Sequence, residues 1–326
     1  MEKLKVSVII PTRNRAELLR GTLESIARQS LDKQFYEVIV CDNDSKDNTK
    51  SICEEYKSSF SYFKYIYTDK IGLHVGRHAG LMNSKGDYLV FADDDIEAFS
   101  RWLETIYNEF ENDSNIGLIG GKNLPKFLGE VPFWIHEKWN QPNADGRVLS
   151  ELSLLDLGES KKYISPNLVF GCNYSIRKKI LLETEGFHPD GFPFELIKYR
   201  GDGESYVSNY VKKSDYKCLY HPMASVWHLV TKDRLSKNYF FKRSYCQGVS
   251  DAYTKLRSEN KISKDSFLQS LIKPIKKVVH FLRIGSLTDM DKQLLKSYNE
   301  GYKYLVHQYA TNVEVRNWVR KSNYLE

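Results

Sequence analysis

No apolar run in this 326-residue chain approaches the ~20 residues that a membrane-spanning helix needs. Met1-Glu2-Lys3 leads straight into an apolar strand, with no leader-like segment. Cysteine is scarce: Cys41, Cys53, Cys172, Cys218 and Cys246 are odd in number and widely spaced. They offer neither a metal-ligand spacing nor a disulfide framework, so a reducing cytoplasm is the expected compartment. Zinc spacings, recognition-helix patterns and RNA-binding signatures are missing, and nucleic acid is not expected as a partner. A lysine-bearing, glycine-rich phosphate loop is missing too, since Pro11-Thr12-Arg13-Asn14-Arg15 holds no glycine.

What is present is a sizeable apolar fraction, 41%, enough to bury a core in one large domain or a domain with an appendage. Net charge is +6, unevenly spread. From Ser205 onward there are 22 Lys and Arg against 10 Asp and Glu, leaving 26 against 32 for the first 204 residues. An acidic first part and a basic second part suit a phosphorylated substrate held with a cation, or an anionic membrane surface.

The first half alternates strand and helix patterns. Val6 to Ile10 reads as a buried strand stopped at Pro11. Leu18, Leu19, Leu23, Ile26 and Ala27 recur at helical spacing. Tyr36 to Cys41 predicts a second strand, and Lys46 to Tyr56 a helix capped by Asp47. Tyr62 to Tyr67 predicts a third strand, and Gly72 to Ser84 a glycine-interrupted helix. Repeated β-α units predict an α/β fold, a mostly parallel central sheet flanked by helices. Polar residues after each strand, Thr12, Asp42 and Asp93 to Asp95, then converge on one edge.

The densest signal is Gly86-Asp87-Tyr88-Leu89-Val90-Phe91-Ala92-Asp93-Asp94-Asp95. A short buried strand ends there in three carboxylates, whose mutual repulsion calls for a positive partner. A hard divalent cation carrying a substrate phosphate is the expected one, a solvated acidic turn the alternative.

These segments resemble glycosyltransferase family 2: Val6 to Arg15, Val40 to Thr49 with Asp42-Asn43-Asp44-Ser45, Gly76-Arg77-His78-Ala79-Gly80, and Gly86 to Asp95. The resemblance runs over about the first 230 residues, in the family's order and spacing. It implies a GT-A, Rossmann-like domain over 1–230, with a helical, basic C-terminal extension over 231–326. It also implies a nucleotide-sugar donor, Mn²⁺ or Mg²⁺, and inversion at the anomeric carbon.

By position, Asp42 matches the carboxylate that recognises the base, an acceptor suited to a uracil or guanine N–H, with an Asx turn as the alternative. Pro11, Thr12 and Arg13 line the same pocket. Asp44 stands where glycine is common, which leaves UDP, favoured, against GDP or dTDP open. Arg77 matches the arginine of an Ala-Arg-Asn motif and a donor contact, against a surface ion pair; Gly76 and His78 depart from that motif. Asp93 matches the ribose and metal side, Asp95 the direct metal ligand, and Asp94 the variable nucleotide-side position of the family's DXD triplet.

Further on, Gly171-Cys172-Asn173-Tyr174-Ser175-Ile176-Arg177 resembles the segment beside the sugar and acceptor, placing Cys172 and Asn173 there. Arg200-Gly201-Asp202-Gly203-Glu204-Ser205 occupies the place of the Glu-Asp motif. Glu204 aligns with the catalytic base, Asp202 is the alternative, and a helix cap at Ser205 is the plainer reading. Direct displacement requires such a base for the acceptor hydroxyl. His228 matches a trailing histidine, a third metal ligand or a diphosphate contact. Arg234 and Arg243 follow as candidate diphosphate contacts or solvated charges.

Asp265 to Ile284 carries apolar residues at helical spacing among Lys273, Lys276, Lys277 and Arg283. Such a basic amphipathic helix packs on its own domain or attaches peripherally to an anionic membrane. The expected function is sugar transfer to a glycan or lipid-linked acceptor in surface polysaccharide synthesis. The alternatives are a non-catalytic nucleotide-binding scaffold and a sugar-1-phosphate nucleotidyltransferase.

Overall fold

In the computed structural model, which describes residues 4–142, 144–258 and 288–325, the chain divides into two compact units. One comprises Met1–His188, Gly203–Leu235 and Asn323–Glu326; the other comprises Pro189–Asp202 and Ser236–Ser322. The amphipathic segment 265–284 lies outside the described residues.

The first unit opens with the alternation that its pattern predicts: β1 (Val6–Thr12), α1 (Ala16–Ala27), β2 (Tyr36–Asn43), α2 (Thr49–Tyr56), β3 (Phe63–Thr68), α3 (Leu73–Asn83) and β4 (Tyr88–Ala92). Runs of Val and Ile are stiff at χ1 and favour extended backbone, and here both faces of each run are buried. Helix α2 starts three residues later than its sequence pattern predicts. Asp47 stays outside it, accepting from the N–H groups of both Ala16 and Thr49 (3.0 and 3.1 Å), and so ties two helix starts together.

The rest of this unit is β5 (Ile96–Ala98), α4 (Trp102–Asn112), β6 (Ile116–Gly120), β7 (Asn123–Phe127), α5 (Phe133–Asn140), β8 (Arg147–Leu149), β9 (Leu154–Asp156), β10 (Lys162–Tyr163), β11 (Asn173–Arg177), α6 (Lys178–Glu183), α7 (Glu204–Lys213), β12 (Lys217–Tyr220) and β13 (Val226–Val230). Among the described residues the larger sheet runs β10-β12-β6-β11-β4-β1-β2-β3 and the smaller β5-β13-β7-β9-β8. In the larger sheet β1 is parallel to β2 and β4, β2 to β3, and β6 to β12, while β11 runs antiparallel to β4 and β6.

Register fixes the site. Thr12 pairs with Asp42, and Ile9 with Phe91, so β1, β2 and β4 end at one edge. Alternation sorts the core into two layers. Val6, Val8, Ile10, Val38, Val40 and Val90 pack with Leu19, Leu23, Trp102 and Ile106. Ile9, Ile39, Leu89 and Phe91 pack with Leu81, Tyr174, Phe187 and Val207 on the other face.

The second unit holds α8 (Lys237–Ser258), α9 (Asp289–Thr311) and α10 (Val313–Arg320). Helix α9 begins with a capping box: Thr288 accepts from the Asp291 N–H while Asp291 accepts from that of Thr288. A Cβ at Gly248 would collide with the Tyr298 carbonyl, and one at Gly301 with that of Tyr245, so glycine permits the close crossing of α8 and α9. Tyr302 and Tyr309 are buried, and the Trp318 indole donates to the Tyr199 carbonyl (2.8 Å), so these aromatics form the unit's core.

Candidate active site

The three carboxylates after β4 each meet an arginine. Arg15 forks across Asp94 (2.6 Å) and Asp95 (2.7 Å), and Thr12 donates to Asp94 (2.7 Å). Arg234, just past β13, reaches Asp95 at 3.3 Å. Arg77, from α3, donates to Asp93 at 3.0 Å. The positive charge that the triplet demands is therefore supplied in part by the chain itself, from three elements distant in sequence. Burial raises the Asp94 carboxyl above its ordinary value even with Arg15 beside it, and the charge of Asp95 adds to the rise. Burial pushes Asp95 the same way, but the charges of Arg15 and Arg234 beside it outweigh it and hold that carboxyl well below the usual range.

Asp95 is fully buried, yet its Oδ1 has no hydrogen-bond partner. It lies 3.5 Å from His228 Nε2, and Arg234 Nη1 lies 3.2 Å from the same nitrogen. An arginine only donates, so His228 Nε2 is the acceptor of that bond and turns a lone pair, not a proton, toward the site. An unpartnered carboxylate oxygen beside an imidazole nitrogen is a donor set that a divalent cation satisfies once Arg234 yields that nitrogen to it. Among the described residues no group of three His, Cys, Asp or Glu is arranged around one point. A cation at Asp95 and His228 would thus draw its remaining ligands from Asp93, a substrate phosphate and water, as hard cations in phosphate sites commonly do.

Asp42, at the end of β2, is buried. Its Oδ1 accepts from the Ser45 N–H (2.8 Å) and its Oδ2 from the Tyr65 hydroxyl (2.6 Å). Burial and that bond push the Tyr65 phenol up, keeping it a donor. Arg13 is half-buried, and its Nε finds no partner. Pro11 is the last but one residue of β1, packed beside Gly76. Gly76 has no room for a side chain, because a Cβ there would strike the Asn43 amide, which donates to the carbonyls of Lys70 and Gly72 (3.1 Å each).

Glu204 opens α7 after Gly203, whose φ of +54° suits glycine. It is partly exposed, and its Oε1 accepts from Arg77 Nη1. Burial would raise its carboxyl, but Arg77 beside it holds it well below the usual range. Asp202 belongs to the second unit, where it accepts from the Thr254 hydroxyl (2.6 Å). Asn173 spends its amide inside the first unit: it accepts from the Trp102 indole (2.9 Å) and donates to Asn123 (3.2 Å) and to the Ala224 carbonyl (3.0 Å). Cys172 is buried, which pushes its thiol far up. In the 126–146 region Trp139 is buried under Arg147 (4.9 Å), while Phe133 is 76% exposed.

The sequence did not assign Arg15, His74 or Tyr65. Arg15 carries a faint signal, two residues after a strand-ending Thr-Arg pair. Tyr65 is visible only once β3 is in register with β2.

Comparison with known proteins decides the family. The model of "Glycosyl transferase family 2" matches residues 7–179, more than half of the chain. The chain belongs to glycosyl transferase family 2. Among relatives, it is 38% identical over 144 residues to the poly(ribitol-phosphate) beta-N-acetylglucosaminyltransferase TarP of Staphylococcus aureus, covering 43% of each chain. It is 28% identical over 271 residues to a GalNAc(5)-diNAcBac-PP-undecaprenol beta-1,3-glucosyltransferase of Campylobacter jejuni, covering 80% of this chain and 77% of that one. The chain thus spans less than half the length of TarP, and 38% of a second relative, glycosyltransferase AglE of Haloferax volcanii. Among solved structures, the mannosyltransferase PcManGT of Pyrobaculum calidifontis, in complex with GDP-Man and Mn²⁺, superposes with a TM-score of 0.58 at 17% identity, covering all of this chain and 86% of that one. S. aureus TarS with UDP-GlcNAc gives 0.51 at 15%, covering 98% and 91%. These likenesses establish the GT-A fold.

Proposed function

We propose that this family 2 protein is a metal-dependent, inverting glycosyltransferase. It would move a sugar from a nucleoside-diphosphate donor, UDP-linked by preference, to the hydroxyl of a glycan or lipid-linked acceptor in surface polysaccharide synthesis. The observation that carries this reading is the meeting of Asp93, Asp94 and Asp95 with His228 on one side and, through Arg77, with Glu204 on the other. The donors seen in PcManGT and TarS and the polymer acceptor named for TarP agree with it.

In this reading Asp42 accepts an N–H of the base, with Tyr65 and Ser45 holding its carboxylate in place. Pro11, Thr12 and Arg13 border the base, and Arg13, whose buried Nε has no partner in the protein, is a donor for the nucleotide. Arg15 and Arg234 stand at the diphosphate. Asp95 and His228, with Asp93, would hold the cation; Mn²⁺ or Mg²⁺ there supplies Lewis-acid neutralisation of the charge that grows on the leaving diphosphate, typically worth several kcal/mol. Glu204 takes the proton of the acceptor hydroxyl as that oxygen attacks the anomeric carbon. Asp202, tied to Thr254, is the weaker candidate for that role. Cys172 and Asn173 shape the wall beside the sugar rather than touch it, since both are buried and the Asn173 amide is engaged. No described helix is long and apolar enough to cross a membrane. We place the protein at the cytoplasmic face, with the basic segment 265–284 as its contact to an anionic bilayer.

Calorimetric titration with UDP, GDP, dTDP and CMP, each with and without Mn²⁺, tests the reading. Manganese-dependent binding of one nucleoside diphosphate is expected, and Asp95→Ala should abolish the manganese dependence. Binding of none by the folded protein refutes it.

A further inference from the structure

Arg77 is 1% exposed and its guanidinium lies 5.8 Å from the ring centres of both Phe91 and Phe187. Clamped so, it has little freedom to swing toward a ligand. Its Nη1 donates to Glu204 Oε1 and lies 3.1 Å from His74 Nε2; its Nη2 donates to Asp93 (3.0 Å) and to the Gly171 carbonyl (2.9 Å). Because arginine only donates, His74 accepts at Nε2. The Nε of Arg77 and the Nδ1 of His74 are buried without partners. Such unmet donors are costly, which indicates that the two carboxylates, and not the backbone of α3, dictate where the fork sits.

Residue 171 completes the arrangement. A Cβ there would collide with Glu204 Oε1 and come within 2.7 and 2.9 Å of Arg77 Nη2 and Nη1. Its carbonyl meanwhile accepts from the same fork. Glycine at this place is thus explained by the arginine–carboxylate pair beside it.

We propose that Arg77 is a positioning residue, not a donor contact. It grips Glu204 by Oε1 and Asp93 by Oδ1, fixing the proton-accepting carboxylate relative to the donor-side carboxylate and leaving Oε2 to take the acceptor's proton, with Gly171 providing the space for that grip. Lysine cannot replace it, because a single ammonium lacks the planar fork that serves two carboxylates at once. The proposal rests on Glu204 being the base.

The test uses the full chain with Mn²⁺, following UDP or GDP release from UDP-glucose, UDP-N-acetylglucosamine and GDP-mannose, with water as the slow acceptor. In Gly171→Ala the neighbours that must yield are the ends of the Glu204 and Arg77 side chains and no backbone, so the fold should survive. Its kcat is expected to fall about 10²-fold, the scale of an ångström-level misplacement, with donor KM unchanged within threefold. Arg77→Lys should behave alike. Combined with Glu204→Gln, either change should cost nothing further. A raised KM at unchanged kcat, or losses that multiply in the double variants, overturns the proposal. Wild-type protein that binds nucleotide but turns over none of the three donors overturns the function instead. The grip is then decided by melting: shifts of Arg77→Lys and Glu204→Gln that are less than additive uphold it, and additive shifts refute it.

Discussion

At residue 44 the backbone is left-handed, φ +64°, a conformation that Asp tolerates better than most side chains. That is why the glycine common in the family can be replaced here. The substituted carboxylate then accepts from Lys46 (2.6 Å) and the Tyr67 hydroxyl (2.8 Å), and the Lys46 bond in particular holds it below its ordinary value. One strand residue back along the same face, Tyr65 does the equivalent for Asp42. Together they line, from β3, the pocket proposed for the base, which no motif marks. Tyr65→Phe removes a charged hydrogen bond, so nucleotide affinity is expected to drop about tenfold, the scale of such bonds. Titration calorimetry with the cognate nucleotide reads it directly; unchanged affinity would mean that Asp42 is held well enough by Ser45 alone. None of these pairings is legible in the chain, because Asp42 and Tyr65 come together only through strand register. The carboxylates themselves were legible, since an apolar run ending in acids is a local pattern. Which arginine meets which carboxylate was not, since Arg15, Arg77 and Arg234 arrive from three separate elements.

Among elements, α3 carries the most. Its His78 donates from Nδ1 to the Tyr324 carbonyl (3.1 Å) and accepts at Nε2 from the Phe187 N–H (2.9 Å). Burial, with the charge of Arg77 nearby, drives His78 down to about 3, so the folded protein keeps it neutral where the unfolded chain would protonate it. The folded state then binds fewer protons, and stability is full above about pH 6.5 and declines as pH falls toward 3. At pH 5 the loss is about 2 kcal/mol. His78→Asn should therefore melt lower at pH 7.5 yet show a flatter decline between pH 6.5 and 5; an unchanged slope would locate the acid sensitivity elsewhere. The α8–α9 pair makes a different demand. Gly301→Ala drives a methyl into the backbone of Tyr245, which cannot step aside, and a destabilisation of about 1–3 kcal/mol is expected from denaturant unfolding. The β-α rhythm of the first 92 residues was readable because long buried strands and amphipathic helices differ in period. The small sheet was not: β5, β8 and β9 are three residues each, too short for any period to emerge.

For the whole molecule, charge is partitioned between an acidic first part and a basic second part. Electrostatic attraction of this basic second part to an anionic bilayer is the expectation at this scale. The full chain is expected to co-sediment with phosphatidylglycerol-containing vesicles at low salt and to be released at about 0.5 M salt, where the screening length falls to a few ångströms. Retention on neutral vesicles, or no binding to anionic ones, would remove the membrane from the proposal.

The first unit is also discontinuous. Residues 323–326 belong to it, and Tyr324 and Leu325 pack against His78 and Gly186 after the chain has built the entire helical unit. During synthesis, α3 and the loop around Phe187 must therefore wait for more than a hundred further residues before their last neighbours leave the ribosome. The nascent chain spends that interval with the surroundings of His78 and Gly186 incomplete, and the order of translation becomes a delay between the sheet's assembly and the first moment at which this unit can be fully formed.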